Sequence, residues 1–238
     1  MTKAVFFDVD FTLIYPGPTF QAEGYRRVCA AYGIDVDPVR FDAATAASSF
    51  ILDEVEEQIY SHDLFVHYTA SIIEHMGGRG EKVIEAAREI YDQWSVNHHF
   101  EMYDDVAPVL TQLSQSGLIV GAISNSHRSL DAFCEHFSLR ELITVSVSSA
   151  EHGYMKPHRS IFEAALAKAG VQPNQAVMVG DSMKHDIDGA LAIGMRAVLL
   201  RRSGELPPAL PPDLPVLTTL ADLPGLLATA WSGSIPQG

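Results

Sequence analysis

The chain of 238 residues is acidic, because 30 aspartates and glutamates stand against 16 lysines and arginines and give a net charge of −14. Such a surface repels nucleic acid and anionic lipid, so neither is expected as a partner. No stretch approaches the roughly 18 apolar residues of a membrane span, no signal peptide is indicated, and the two cysteines, Cys29 and Cys134, lack metal-ligand spacing. We therefore predict a cytoplasmic protein with two buried, reduced thiols and room for one domain plus an insertion.

The first predicted element is a strand at residues 4–7, where four bulky apolar residues follow one another. Such a run is typical of a strand that is buried on both faces of a parallel sheet. The breaker Tyr15-Pro16-Gly17-Pro18 comes next, and residues 19–99 are expected to be helical, most clearly at residues 81–94. We call residues 16–99 the helical insertion; it contains fourteen acidic and six basic residues, a net charge of −8.

From residue 103 onward the sequence alternates between helix and strand patterns. Helices are predicted at residues 105–116, 130–137, 159–169 and about 186–193, and strands at 118–123, 142–147, 176–179 and 197–200. An extended tail at 207–215, a short strand near Val216 and a last helix at 220–231 complete the prediction. Such alternation indicates right-handed βαβ crossovers, so we expect a doubly wound α/β core of residues 1–15 and 100–238 with a parallel sheet.

Polar residues follow several of these strands. They are Asp8, Asp10, Ser124, Asn125, Lys156, Asp181 and Asp186. Open α/β sheets bind ligands at the carboxyl ends of their strands, and residues 8 and 10 project to the same side of an extended chain. Four carboxylates around one crevice push one another toward protonation unless a cation compensates them, and hard oxygen ligands suit Mg²⁺.

This combination of side chains supports one chemistry in particular. A carboxylate nucleophile, a second carboxylate for acid-base work, a hydroxyl and a lysine for phosphate oxygens, and Mg²⁺ for charge are the parts of phosphoryl transfer through an aspartyl-phosphate. The sequence therefore predicts a phosphoryl-transfer site at the carboxyl end of the sheet.

At this point the motifs Asp8-Val9-Asp10-Phe11-Thr12, Ser124-Asn125, Lys156-Pro157 and Gly180-Asp181 with Asp186 can be taken together. In this order they resemble the four motifs of the haloacid dehalogenase-like hydrolase superfamily, and specifically its phosphatase branch. The resemblance implies a Rossmann-like core domain of residues 1–15 and 100–238, with an α-helical cap domain of residues 16–99 inserted after the first strand.

The resemblance also implies roles for the acidic residues. Asp8 matches the nucleophile, and Asp10 matches the residue that protonates the leaving oxygen and then activates water. Asp8, the backbone carbonyl of Asp10 and Asp181 would bind Mg²⁺ directly, and Asp186 would act as a more distant acidic partner.

The remaining motif residues match phosphate-binding groups. Ser124 and the backbone of Asn125 would bind the transferred phosphoryl group, Lys156 would balance its charge and that of Asp8, and Thr12 would be a supporting hydroxyl. Phe11 departs from the pattern, since many relatives have glycine there, and this puts in question the path of the turn and the space beside the leaving group.

The favoured interpretation is a Mg²⁺-dependent phosphomonoesterase that acts on a small phosphorylated metabolite. A phosphomutase would retain all four motifs, whereas a dehalogenase would need neither Asp10 nor the metal. A non-enzymatic phospho-accepting signalling domain, the interpretation from another class, is about half this length and would release little phosphate. Sugar phosphates, phosphoglycolate-like acids and nucleotide monophosphates stay open as substrates, as does the oligomeric state, and Arg26-Arg27 is a hypothetical contact for an anionic substrate.

Overall fold

The computed structural model describes residues 1–55, 57–206 and 209–230. Its strands are β1 (Ala4–Phe7), β2 (Ile14–Pro16), β3 (Phe100–Met102), β4 (Ile119–Ser124), β5 (Ile143–Ser148), β6 (Ala176–Gly180), β7 (Arg196–Leu200) and β8 (Val216–Leu217).

Within the described residues, six of these strands form one sheet in the order β5-β4-β1-β6-β7-β8, and every pair in it is parallel. β1 lies in the middle, where Phe7 pairs with Ala122 of β4 and with Val179 of β6. The predicted α/β class with a parallel, doubly wound sheet is confirmed.

The helical insertion contains five α-helices among the described residues, α1 (Ala22–Ala31), α2 (Phe41–Ser48), α3 (Phe50–Asp53), α4 (His62–His75) and α5 (Val83–Asp92). Those after it are α6 (Val106–Gln115), α7 (Leu130–His136), α8 (Ser149–His152), α9 (Arg159–Ala169), α10 (Gly189–Ala192) and α11 (Leu223–Ala230). Short 3₁₀ turns occur at Pro18–Phe20, Pro38–Arg40, Gln93–Ser95, Asn97–His99, Pro173–Gln175 and Leu220–Asp222.

Helix ends follow the local chemistry that the sequence offers. Ser61 and Ser129 cap α4 and α7, where each side-chain oxygen accepts a hydrogen bond from the third residue of its helix. Gly170 follows the predicted last residue of α9 and ends the helix with a φ of 64°, in the left-handed region that glycine adopts without steric cost.

The sheet separates two apolar clusters because side chains alternate along β1. Val5 and Phe7 pack with residues of α6, α7 and α11 on one face, while Ala4 and Phe6 pack with residues of α9 and α10 on the other. The first cluster continues without interruption into the helical insertion, where it includes residues of α1, α4 and α5. This shared core holds the insertion over the carboxyl ends of the strands.

Three local features differ from the prediction or extend beyond it. β2 and β3 form a short antiparallel ribbon at the two ends of the helical insertion, with Ile14 opposite Met102, and strands of three residues leave too little pattern to predict. The turn after β6 is a π-helix at Met183–Asp188 that precedes α10, so the predicted helix at 186–193 starts earlier and is irregular. Residues 209–215 contain no helix or strand, while residues 207, 208 and 231 lie outside the described part of the chain.

Both cysteines are free and buried, as expected. In the described ranges, no helix combines the length and the apolar character that crossing a membrane requires.

Candidate active site

The predicted site residues lie around the carboxyl end of β1, the strand at which the strand order changes direction. Asp8 follows β1, Ser124 ends β4 on one side of it, and Asp181 follows β6 on the other. Parallel neighbours end at the same edge, which is why residues more than 170 positions apart in the chain meet in one crevice.

Lys156 links two of the carboxylates. Its Nζ donates to Asp8 Oδ1 at 2.5 Å and to Asp186 Oδ1 at 2.6 Å, and the residue is only 2% exposed. Burial lowers the pKa of Lys156, but the carboxylates of Asp186 and Asp8 outweigh that effect and raise it above its usual value. Lys156 is therefore held as a cation between two anions.

The amide side chain of Asn125 fixes the backbone of Lys156. Its Nδ2 donates to the Lys156 carbonyl oxygen at 2.9 Å, and its Oδ1 accepts from the Lys156 N–H at 2.7 Å. From the sequence only the backbone of Asn125 was expected to contribute, so this positioning role of the side chain is new.

The π-helical turn after β6 brings Asp186 back to the end of the strand. Asp186 Oδ2 accepts a hydrogen bond from the Ser182 N–H at 3.0 Å. Gly180 makes this approach possible, because a Cβ at that position would lie 2.2 Å from Asp186 Oδ2. Glycine is thus required here for close packing against a carboxylate.

Three carboxylates converge beside Lys156. One oxygen each of Asp8, Asp181 and Asp186 lies within 4.8 Å of the others. Burial raises the pKa of Asp8 well above its usual range, an effect that Lys156 reduces and that Asp186 and Asp181 increase. Burial, followed by the charge of Asp186, raises the pKa of Asp181 to about 7. Lys156 alone does not compensate the negative charge of three carboxylates. Carboxylate oxygens are hard ligands that suit a small divalent cation, so these residues fit Mg²⁺.

The carboxylate of Asp10 does not belong to this acidic group. Its Oδ1 accepts from Arg128 Nη1 at 2.9 Å, and the Arg128 side chain is fully buried. Arg128 Nη2 donates to the Trp94 carbonyl oxygen at 2.8 Å, and the guanidinium lies 4.2 Å from the centre of the Phe100 ring. A contribution of Asp10 to metal binding through its backbone carbonyl stays a prediction.

Sequence reasoning missed Arg128. Its only signal is its place four residues after Ser124 and directly before the N-cap serine of α7. An isolated arginine is normally read as exposed, and the sequence does not show that the helical insertion covers it.

The other motif residues occupy the same edge. Ser124 is fully buried, and its hydroxyl donates to Ser126 Oγ at 3.0 Å. The Thr12 side chain is buried as well, and its hydroxyl has no hydrogen-bond partner among the described residues.

Phe11 makes the turn that follows Asp10 in the left-handed conformation. Its φ is 64°, and its N–H donates to the Ile14 carbonyl oxygen at 2.6 Å. The residue is 45% exposed, and its ring lies 6.4 Å from the Trp94 ring, measured between centroids. Phenylalanine thus adopts the left-handed conformation that favours glycine, and its ring forms an aromatic wall beside Asp10.

The helical insertion contacts the core next to Lys156. The Met155 N–H donates to the Gln58 carbonyl oxygen at 2.7 Å, and the Tyr60 N–H donates to the Gly153 carbonyl oxygen at 2.9 Å. A cavity of about 610 Å³ lies between insertion and core, and Asp8, Asp10, Lys156 and Asp181, beside the neutral amide of Asn125, form its charged end.

The hypothesis of a substrate contact at Arg26-Arg27 finds no support. Both arginines are exposed and neither lines the cavity, and Arg26 Nε donates to Glu23 Oε2 at 2.7 Å on the same helix.

A parallel α/β sheet with carboxylates and a lysine at its switch point defines a Rossmann-like enzyme. The family model described as haloacid dehalogenase-like hydrolase matches residues 2–194, and the chain therefore belongs to the haloacid dehalogenase-like hydrolases. It is 30% identical over 212 residues to a glyceraldehyde 3-phosphate phosphatase of Methanopyrus kandleri, with 85% of each chain covered.

Two solved structures extend the comparison. A haloacid dehalogenase-like phosphatase from Thermococcus onnurineus is 25% identical with a TM-score of 0.66, over 95% of this chain and 98% of that one. A 2-haloacid dehalogenase from Pseudomonas syringae is also 25% identical, with a TM-score of 0.64 over 96% and 99% of the two chains. The family thus includes relatives that differ in the bond they cleave.

Proposed function

We propose that the protein is a Mg²⁺-dependent phosphomonoesterase that hydrolyses a small phosphorylated metabolite through an aspartyl-phosphate on Asp8. The observation that carries this proposal is the buried Lys156. It binds Asp8, which follows the first strand, and Asp186, and the carboxylate of Asp181 lies beside them. The phosphatase name of the relative from Methanopyrus kandleri supports the same activity.

In the first half-reaction a carboxylate oxygen of Asp8 attacks phosphorus. A new P–O bond forms to Asp8, the ester P–O bond breaks, and the leaving alkoxide takes a proton from Asp10. Asp10 is suited to this because Arg128 holds its carboxyl group and leaves it lining the cavity.

In the second half-reaction Asp10 accepts a proton from water, which attacks phosphorus and breaks the bond to Asp8. Phosphate leaves, and both aspartates return to their starting states. Lys156 balances charge on Asp8 and on the phosphoryl oxygens throughout, and the Ser124 hydroxyl and the Asn125 backbone bind those oxygens.

Asp8, Asp181 and Asp186 would hold the Mg²⁺, together with the Asp10 backbone carbonyl. When bound, the ion compensates the negative charge of the carboxylates and of the phosphoryl group. The same trio is unfavourable without added positive charge, as the raised pKa values of Asp8 and Asp181 indicate.

The domain division belongs to the proposal too. Residues 1–15 and 100–238 would form the core domain, and residues 16–99 would form a cap that excludes bulk water from the reaction. The cavity between them supports this division.

The alternatives fit less well. A dehalogenase shares the fold but has no use for an acid-base residue, whereas Asp10 is held by a dedicated buried arginine. A phosphomutase would keep the same site and is distinguished by its product, a rearranged phosphate ester instead of free phosphate. The non-enzymatic signalling interpretation is wrong, because the chain belongs to a hydrolase family.

The test is phosphate release from phosphorylated metabolites and from an activated aryl phosphate, with Mg²⁺ or with excess chelator, beside Asp8→Asn. We expect release that needs Mg²⁺ and that falls on the order of 10⁴-fold or more in the variant, as removal of a nucleophile does elsewhere. The thermal midpoint of the variant should stay near that of the wild type, since asparagine preserves the volume of the side chain. Release that is undiminished in chelator or in Asp8→Asn would contradict the proposal.

A further inference from the structure

The cavity is much larger than the reaction requires. Its volume is about 610 Å³, within the usual range of pockets for whole small-molecule ligands. A phosphoryl group at Asp8 and Lys156 fills only a small part of it. The remaining space extends into the helical insertion, where it can hold the leaving alcohol.

The walls of this space are mostly aromatic and aliphatic. The insertion contributes residues from α1, α2, α4 and α5 and from the turns beside them. The aromatic ones include Phe20, Tyr25, Phe41, Phe65, Tyr68 and Trp94. Side chains of this kind bind apolar surface and provide few directed hydrogen bonds for a polyhydroxylated substrate.

Three of the hydroxyl groups on these walls, those of Thr45, Thr69 and Tyr91, already have partners within the protein. The hydroxyls of Thr45 and Thr69 each donate to the carbonyl oxygen four residues earlier in their own helix, at 3.0 and 2.9 Å. The hydroxyls of Tyr91 and Tyr60 lie 3.3 Å apart and pair with each other. The remaining uncharged polar groups, those of Gln21, Tyr25, Tyr68 and Trp94, are set among apolar side chains, so most hydroxyls that a sugar buried against these walls would go unpaired.

The walls also lack a cation for a second anionic group. Among the described residues of the insertion that line the cavity, none is lysine or arginine, and the one charged residue is the exposed Asp42. The insertion has a net charge of −8. A carboxylate or second phosphate in the leaving group would be repelled and would lose hydration without a partner.

Phe11 extends the apolar wall to the reacting end. Its ring faces Trp94, and both residues line the cavity together with Asp10. The substrate carbon that carries the ester oxygen would thus contact aromatic surface, while the ester oxygen itself lies beside Asp10.

We propose that the substrate is the phosphate monoester of a bulky, mainly apolar alcohol that carries no second anionic group. This inference rests on the proposed phosphomonoesterase function and specifies its substrate class. It separates this chain from the relative named for glyceraldehyde 3-phosphate, a compact polar substrate.

The test compares four esters of primary alcohols, whose intrinsic reactivities are similar, in the presence of Mg²⁺. They are 2-(2-naphthyl)ethyl phosphate, ethyl phosphate, ribose 5-phosphate and 3-phosphoglycerate. We expect kcat/KM for the naphthylethyl ester to exceed the other three on the order of 10²-fold, since even single methylene groups in an apolar pocket contribute about 10-fold or more. An equal or higher kcat/KM for ribose 5-phosphate or 3-phosphoglycerate would overturn the inference.

An activated aryl phosphate separates the two possible failures. If it releases no phosphate, the proposed function fails and the inference fails with it. If it is hydrolysed while the polar esters are preferred to the naphthylethyl ester, the inference alone fails.

A matched pair of variants tests the location of the binding site. Ala46 and Ala47 are neighbouring exposed residues of α2, but only Ala46 lines the cavity. In Ala46→Arg we expect the ratio of kcat/KM for the naphthylethyl ester to that for ethyl phosphate to fall about 10-fold, because a cation enters the apolar space. In Ala47→Arg neither value should change, and equal effects of the two substitutions would contradict the inference.

Discussion

The two ends of the active-site cavity are built in opposite ways. At the sheet end, Asp8, Asp10 and Asp186 each bind a cationic side chain, and those cations are almost completely buried. At the insertion end the walls are aromatic and aliphatic, and none of the described insertion residues that line them carries a positive charge. In the proposed function, the fixed charges at the sheet end would serve the chemistry, and the apolar surface at the other end would bind the leaving alcohol.

The largest effect is expected where a substitution disturbs the packing of the charged end. In Gly180→Ala the new Cβ would lie 2.2 Å from Asp186 Oδ2, so the carboxylate that binds Lys156 must shift. We expect kcat to fall on the order of 10²-fold, the usual cost of misplacing a reacting group by about 1 Å.

Gly225→Ala in α11 is the matched control, because nothing lies within 4 Å of a Cβ at that position. It should retain activity and gain up to about 1 kcal/mol in the free energy of unfolding from better helix propensity. Wild-type kcat in Gly180→Ala would show that the contact between Gly180 and Asp186 has no catalytic importance.

A second test concerns the positioning of Asp10. Lysine cannot reproduce the fork with which Arg128 binds Asp10 Oδ1 and the Trp94 carbonyl oxygen together. In Arg128→Lys we expect kcat to fall about 10-fold with little change in KM, compared with roughly 10²- to 10⁴-fold in Asp10→Asn.

The double variant distinguishes positioning from a merely structural role. If Arg128 acts through Asp10, adding Arg128→Lys to Asp10→Asn should cost little further activity. Independent, multiplicative losses would mean that Arg128 supports the fold and not the acid-base residue.

The smallest effect is expected at Phe11, where the two ends of the cavity meet. Phe11 adopts a φ of 64°, a conformation that costs about 1–2 kcal/mol for residues other than glycine. Phe11→Gly should leave the free energy of unfolding, measured with urea, unchanged to within about 1 kcal/mol, because relief of strain offsets the greater freedom of the unfolded chain.

The same variant removes an apolar wall beside Asp10. We expect kcat/KM for the naphthylethyl ester to fall several-fold relative to ethyl phosphate. Phe11→Asn, which tolerates the same backbone conformation but is polar, should behave alike, and an increased preference for the naphthylethyl ester in either variant would contradict the role of Phe11 as a wall.

The sequence was informative where function depends on residues that directly follow strands. The apolar run before Asp8 predicted a central strand, and strand ends in a parallel sheet converge, so the meeting of Asp8, Ser124 and Asp181 could be expected.

Features that depend on contacts between distant segments could not be predicted in this way. Arg128 is buried among segments distant in the chain, including Trp94 of the helical insertion, and the amide of Asn125 finds its partners only once the Lys156 loop is placed. The apolar walls come from scattered positions on several helices, whose hydrophobic residues have the same spacing as ordinary core residues.

In the proposed function Asp8 becomes covalently phosphorylated, and trapping that species would show it. In Asp10→Asn, an activated aryl phosphate should still transfer its phosphoryl group, since its leaving group needs no proton, whereas hydrolysis of the aspartyl-phosphate should be slow. After acid quench and proteolysis, mass spectrometry should locate a phosphoryl group on Asp8, and none should form in Asp8→Asn. Steady turnover of the aryl phosphate without any adduct, or an adduct on another residue, would contradict the account.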